Sequence, residues 1–175
     1  MTPILADIGV PMIFPQAILM GLAFVPVVLI ESFIVCKRMP LTLPRALKDV
    51  GLANLFTTLL GVPLAWVLMF ILELVSTGGT ALGMESPIKM LASVTLQAAW
   101  LIPYERELPW MIPAAATVLL IPCFFISLSI ERRILVRRWP EQDRPVVLSA
   151  VFSANIWSYL FLFIAGSLWT VSNLR

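Results

Sequence analysis

The chain reads as an all-α membrane protein: four transmembrane helices form two tandem, parallel-repeat hairpins, with a short interfacial helix in the outer connection. Three observations predict this. First, the 175 residues are 60% hydrophobic and only 13% charged, with a mean hydropathy of +0.97, against about 45–50% apolar and about 25% charged in soluble domains. A soluble domain of this size cannot hide so much apolar surface, so the bilayer acts as its solvent. Second, four stretches lack Asp, Glu, Lys and Arg: Ile8–Ile30, Val50–Leu72 and Leu108–Ile130, each 23 residues, and Pro145–Leu174, 30 residues. Each is long enough to cross roughly 30 Å of hydrocarbon at about 1.5 Å per residue. Third, residues 31–60 recur at 131–161. The chain is thus one transmembrane domain over 1–175, with repeat 1 at about 8–76, the connection at about 77–107 and repeat 2 at about 108–174.

The first run starts close to Met1 without a basic region before it, which predicts a retained helix and not a cleaved signal. It leads into a turn carrying Lys37, Arg38, Arg45 and Lys48, after which the second run returns. The turn between the third and fourth runs carries Arg132, Arg133, Arg137, Arg138 and Arg144, so the two turns hold nine of the twelve basic residues. Short loops rich in Lys and Arg stay in the cytoplasm. The expected topology is therefore multi-pass in the cell inner (plasma) membrane, with both termini and the connection outside. These nine residues either only set that topology or bind anionic lipid headgroups.

Within the connection, Ser76–Gly83 reads as a flexible turn. Ser86-Pro87 then reads as an N-cap followed by Pro at the first helical position. Ile88, Leu91, Val94, Ala98 and Leu101 recur at helical spacing, with Lys89, Ser93 and Gln97 elsewhere on the wheel. That predicts a helix lying in the interface or folded over the bundle, as an anchor or a gating lid. The uncharged run Met90–Tyr104, at 15 residues, is too short to cross. Trp100, Tyr104 and Trp110 around Glu105-Arg106-Glu107 suggest an aromatic belt, and Trp66, Glu73 and Trp169 are read as outer span ends.

The repeat aligns Glu31, Lys37-Arg38 and Pro40 with Glu131, Arg137-Arg138 and Pro140 without a gap. After one inserted residue, Val50-x-x-Ala53-Asn54-x-x-Thr57 matches Val151-x-x-Ala154-Asn155-x-x-Ser158. Both hairpins run the same way, so the repeats are parallel, related by an axis along the membrane normal, unlike the inverted repeats of many transporters. Pro26 and Pro122 break the match, being five and nine residues before the repeat glutamate. Arg132-Arg133 in place of Ser32-Phe33 makes the second glutamate look more interfacial.

The candidate polar cluster is Glu31, Asn54, Thr57, Glu131, Asn155 and Ser158. Glu31 and Asn54 each lie six residues inward of a basic residue, Lys37 and Lys48, and so face each other in depth. Asn155 lies eleven residues after Arg144, which predicts a looser match to Glu131. Carboxyl groups in hydrocarbon cost roughly 2.5–3.5 kcal/mol, turn inward and find donors. Three roles fit: a clamp between hairpins supported by the small-residue stripes Ala53/Thr57/Gly61 and Ala150/Ala154/Ser158, a proton or cation path, or a contact to a partner or lipid headgroup.

Other chemistry is sparse. The chain has no histidine, which removes the commonest acid/base and metal ligand. Cys36 and Cys123 make neither a CxxC pair nor a four-Cys metal site. No phosphate-cradling glycine loop and no nucleophile motif is present. The expectation is no catalytic residue, no metal, no cofactor and no enzymatic activity. A net charge of +2 gives no sign of a nucleic-acid partner. The expected partners are membrane lipid and either a protein partner or further copies of the chain.

Leu29-Ile30-Glu31, followed by Ala53-Asn54-Leu55-Phe56-Thr57-Thr58 and Gly61, resembles small four-span integral membrane proteins of cyanobacterial type, most of them uncharacterised. It is also similar to a filament-integrity membrane protein of filamentous cyanobacteria. The likeness covers about one hairpin, implies a scaffold or junction role and carries no site residues. The function expected is a non-enzymatic scaffold or accessory subunit acting by lateral helix association. The alternative is a small oligomeric channel or transporter using Glu31/Glu131 with Asn54/Asn155 as a polar path.

Overall fold

The computed structural model describes residues 9–102, 104 and 106–174. Ile8 of the first run, Glu105 of the aromatic belt and the outer Arg175 lie outside them. Among the described residues are five helices, α1 (Ile13–Arg38), α2 (Leu43–Thr77), α3 (Pro87–Thr95), α4 (Leu108–Arg138) and α5 (Arg144–Ser172). Two short strands, β1 (Val10–Pro11) and β2 (Trp100–Leu101), pair antiparallel. Four of the helices are long and apolar enough to cross a membrane. The protein is an all-α, four-span integral membrane protein.

The charge-free runs underestimate three of the four spanning helices. α2 begins seven residues before Val50, and α1 and α4 each continue eight residues past their runs to Arg38 and Arg138. Loss of apolar residues marks the edge of the hydrocarbon, whereas a helix stops only when its hydrogen bonding is interrupted. Pro44, Pro109 and Pro145 sit in the first turns of α2, α4 and α5, where a missing N–H costs nothing. α2 ends at Gly78, whose φ of 60° is the left-handed cap conformation and whose N–H reaches the Leu74 carbonyl. α1 starts later than its run because Val10-Pro11 is drawn into pairing with Trp100-Leu101.

The four long helices form a ring in the order α1, α2, α4, α5, each packed on two neighbours, with α1 and α4 meeting only across a diagonal. Connectivity makes every neighbouring pair antiparallel. Apolar packing forms two clusters. One, near the basic turns, contains Val35, Val50, Leu135, Trp139 and Val151. The other, beneath the connection, contains Met12, Leu101, Trp110, Met111 and Leu119.

In α3, Ser86 accepts from the Lys89 N–H at 3.3 Å and Pro87 opens the helix, as the motif predicts. The helix stops at Thr95, Ser93 and Gln97 are 1% exposed, and Ile88 and Leu91 are 81% and 64% exposed. Ser93 Oγ donates to the Gly83 carbonyl and Gln97 Nε2 to that of Thr80, so the polar side turns inward to tie down the preceding loop. Val94, Ala98 and Leu101 are buried as expected.

Candidate functional site: a reciprocal carboxyl–amide cluster

The candidate cluster assembles from one face of each long helix. On α2 the buried ridge is Val50, Ala53, Asn54, Thr57, Gly61 and Ala65; on α5 it is Val147, Ala150, Val151, Ala154, Asn155 and Ser158. Spacings of three and four keep each set on one side of its helix. Their small residues let α1 and α4 approach closely enough for Glu31 and Glu131 to reach them.

The hydrogen bonds run in matched sets. Asn54 Nδ2 donates to Glu31 Oε2 at 2.6 Å and to the Val50 carbonyl at 3.2 Å. Asn155 Nδ2 donates to Glu131 Oε2 at 2.7 Å and to the Val151 carbonyl at 3.2 Å. Between hairpins, Ser158 Oγ donates to Glu31 Oε1 at 2.6 Å, whereas Thr57 Oγ1 lies 3.4 Å from Glu131 Oε1 and has its nearer acceptor in the Asn54 carbonyl at 3.0 Å. Each carboxyl group is therefore held by the amide of its own hairpin, and Glu31 also by the hydroxyl of the other. All six sequence-derived residues meet in this one cluster.

Two expectations about it change. The second set is as well matched in depth as the first, because the relevant ruler is the helix start and not the nearest basic residue. Asn54 and Asn155 are each eleven residues beyond the first residue of their helices, Leu43 and Arg144. Glu131 is also no more interfacial than Glu31, since both are 1% exposed. The side chains of Arg132 and Arg133 turn away from it, with Arg132 over the Phe152 ring at 5.3 Å.

Comparison with protein-family models, curated proteins and solved structures finds no match.

The nine basic residues separate into two groups. Arg138 Nε and Nη2 lie 2.7 and 2.6 Å from Asp49 Oδ1, Trp139 Nε1 donates to Asp49 Oδ2 at 2.8 Å, and Arg45 pairs with Glu141 at 2.7 Å. This latch joins the two turns at the basic end. Lys37, Arg38, Lys48, Arg132, Arg133, Arg137 and Arg144 have no ion-pair partner among the described residues.

Asp49 escaped the sequence reading because its aligned partner is Ala150, so the repeat carries no echo of it. Its one visible signal was an acid four residues after Arg45 inside a basic turn. Glu73, four residues before the end of α2, is 4% exposed and its Oε2 accepts the Trp100 N–H at 3.1 Å. Trp66 Nε1 donates to the Ala99 carbonyl at 2.8 Å, while Trp169 lines a groove between α1 and α5. Cys36 and Cys123 are free thiols.

Proposed function

We propose that the chain is a non-enzymatic membrane scaffold or accessory subunit, acting by lateral association along the seam between α1 and α5. The observation that carries this reading is Gln16. It is 3% exposed, its Oε1 has no hydrogen-bond partner among the described residues, and it lines a groove of about 310 Å³ where α1, α4 and α5 meet, in which Ala23, Ala116, Ala165 and Gly166 lie among larger apolar side chains such as Met20 and Phe161. An unpaired buried acceptor costs roughly 1–3 kcal/mol. The small residues let a helix approach, and a hydroxyl or amide donor on that helix satisfies Gln16.

The Glu/Asn cluster serves as the clamp that holds the bundle while the seam engages its partner. Both carboxyl groups are enclosed, each holds an amide donor and Glu31 also holds the Ser158 hydroxyl, which favours a packing role over a polar path. The resemblance of the first hairpin to a filament-integrity membrane protein of filamentous cyanobacteria likewise implies a scaffold or junction role. The basic turns face the cytoplasm on this reading, by the positive-inside rule.

The test is purification from native membranes in mild detergent, wild type beside Gln16→Leu. The wild type carries a stoichiometric membrane-protein partner and Gln16→Leu loses it. A wild-type chain that runs as a lone monomer overturns the proposal.

A further inference from the structure

Four of the seven unpaired basic residues converge on one cavity. Arg132, Arg133 and Arg137 near the end of α4 and Arg144 at the start of α5 line a space of about 370 Å³, together with Ser129, Val136 and Leu148. No carboxylate among the described residues lines it. The spacing explains the convergence. Ser129, Arg133 and Arg137 follow each other at intervals of four along α4, as do Arg144 and Leu148 along α5, so one ridge of each helix faces the same space.

Arg133 and Arg137 are like charges at a spacing that disfavours the isolated helix. Arg132 adds a second sign of incompleteness: its Nε is buried without a hydrogen-bond partner while its guanidinium rests over Phe152. Ser129 offers no donor, since its hydroxyl is committed to the Phe125 carbonyl at 2.7 Å. The cavity thus combines guanidinium N–H groups with the apolar Val136 and Leu148.

The geometry points to a binding site for the headgroup of one anionic phospholipid, with the phosphate held by Arg132, Arg133, Arg137 and Arg144. Guanidinium groups match phosphate oxygens in pairs, which suits arginine to this task better than lysine. The site lies at the basic ends of α4 and α5, where the apolar stretch of each helix gives way to charge and where headgroups reside. Val136 and Leu148 provide the apolar wall for the glycerol and upper acyl region. Arg45 and Arg138 take no part, being held by Glu141 and Asp49. Lys37 and Arg38 carry equal charge but lie along a different groove, between α1 and α5. They serve as the internal control.

The experiment is native mass spectrometry of the full chain in mild detergent, with added phosphatidylglycerol, phosphatidylcholine or inorganic phosphate. The wild type retains one phosphatidylglycerol per chain in preference to phosphatidylcholine. Removing two arginines with Arg132→Gln/Arg144→Gln, and with them two hydrogen bonds to a charged group, lowers retention about 100-fold or more, and Lys37→Gln/Arg38→Gln leaves it within about twofold of wild type. Circular dichroism confirms that both variants keep their helix content. Equal loss from the two double variants means diffuse attraction to a charged face and overturns the proposal, as does equal retention of the zwitterionic lipid. Displacement of phosphatidylglycerol by millimolar inorganic phosphate assigns the cavity to free phosphate and overturns the lipid assignment.

Discussion

Ser158→Ala is the sharpest probe of the crossed hydrogen bonds. Ser158 Oγ lies 2.6 Å from Glu31 Oε1, at the short end of hydroxyl–carboxyl distances, and both residues are at most 1% exposed. Hydrogen bonds between transmembrane helices average about 0.6 kcal/mol and reach about 1.7 kcal/mol. The short length and full burial place this one near the upper limit, about 1.5 kcal/mol. Thr57 reaches Glu131 at 3.4 Å, beyond the usual range, so its contribution is about 0.5 kcal/mol or less. Reversible denaturant unfolding in mild detergent, followed by circular dichroism, measures both in double-mutant cycles with Glu31→Gln and Glu131→Gln. Ser158 should couple to Glu31 by about 1.5 kcal/mol and to Glu131 by much less. Equal coupling to the two glutamates, or coupling to Glu31 below about 0.3 kcal/mol, would refute the crossed arrangement.

Three further outcomes follow from other parts of the fold. A Cβ at Gly166 would collide with Thr117 Oγ1, which is itself tied to the Pro113 carbonyl at 2.8 Å, so Gly166→Val should destabilise the α4–α5 pair by about 1–3 kcal/mol in the same unfolding assay. Asp49→Ala strands the buried Trp139 indole N–H, and with Arg138 37% exposed and its ion pair discounted accordingly, the expected cost is about 2 kcal/mol. The Glu85 carboxyl is held below its ordinary 4.5, mainly by the hydrogen bond from Lys89 and also by its own backbone and the Lys89 charge. A depressed folded value means that the contact contributes above the unfolded value and is lost as pH falls through the folded one. Carboxyl NMR titration should therefore give a midpoint below 4.5, and Lys89→Met should return it toward 4.5.

How far the sequence could be read depended on whether a signal was local or shared between distant segments. Spans were legible because hydrocarbon excludes charge; their ends were not, because helices continue past the charge boundary until a cap or Pro intervenes. The six cluster residues were legible because each type is costly in lipid and appears twice in register. Their crossed pairing was not, since only the three-dimensional ring shows that Ser158 reaches Glu31 across 127 positions of sequence. Asp49 and Gln16 occur once, without a repeat partner, and neither differs in composition from a solvated residue. In α3 the apolar periodicity through Ile88 and Leu91 was legible, but the inward turn of Ser93 and Gln97 was not, because it depends on their hydrogen bonds to the Gly83 and Thr80 carbonyls and on the Gly83 N–H donating to the Tyr104 hydroxyl.

Lateral association along the α1–α5 seam is tested most directly by site-specific photocrosslinking in native membranes. A photoreactive residue at Met20 lies in the groove beside Gln16, whereas one at Leu60 of α2, 59% exposed, lies outside it. The account predicts a discrete protein adduct from position 20, lost on Gln16→Leu, and none from position 60. Adducts of equal yield from both positions, or an adduct at position 20 that survives Gln16→Leu, would contradict it.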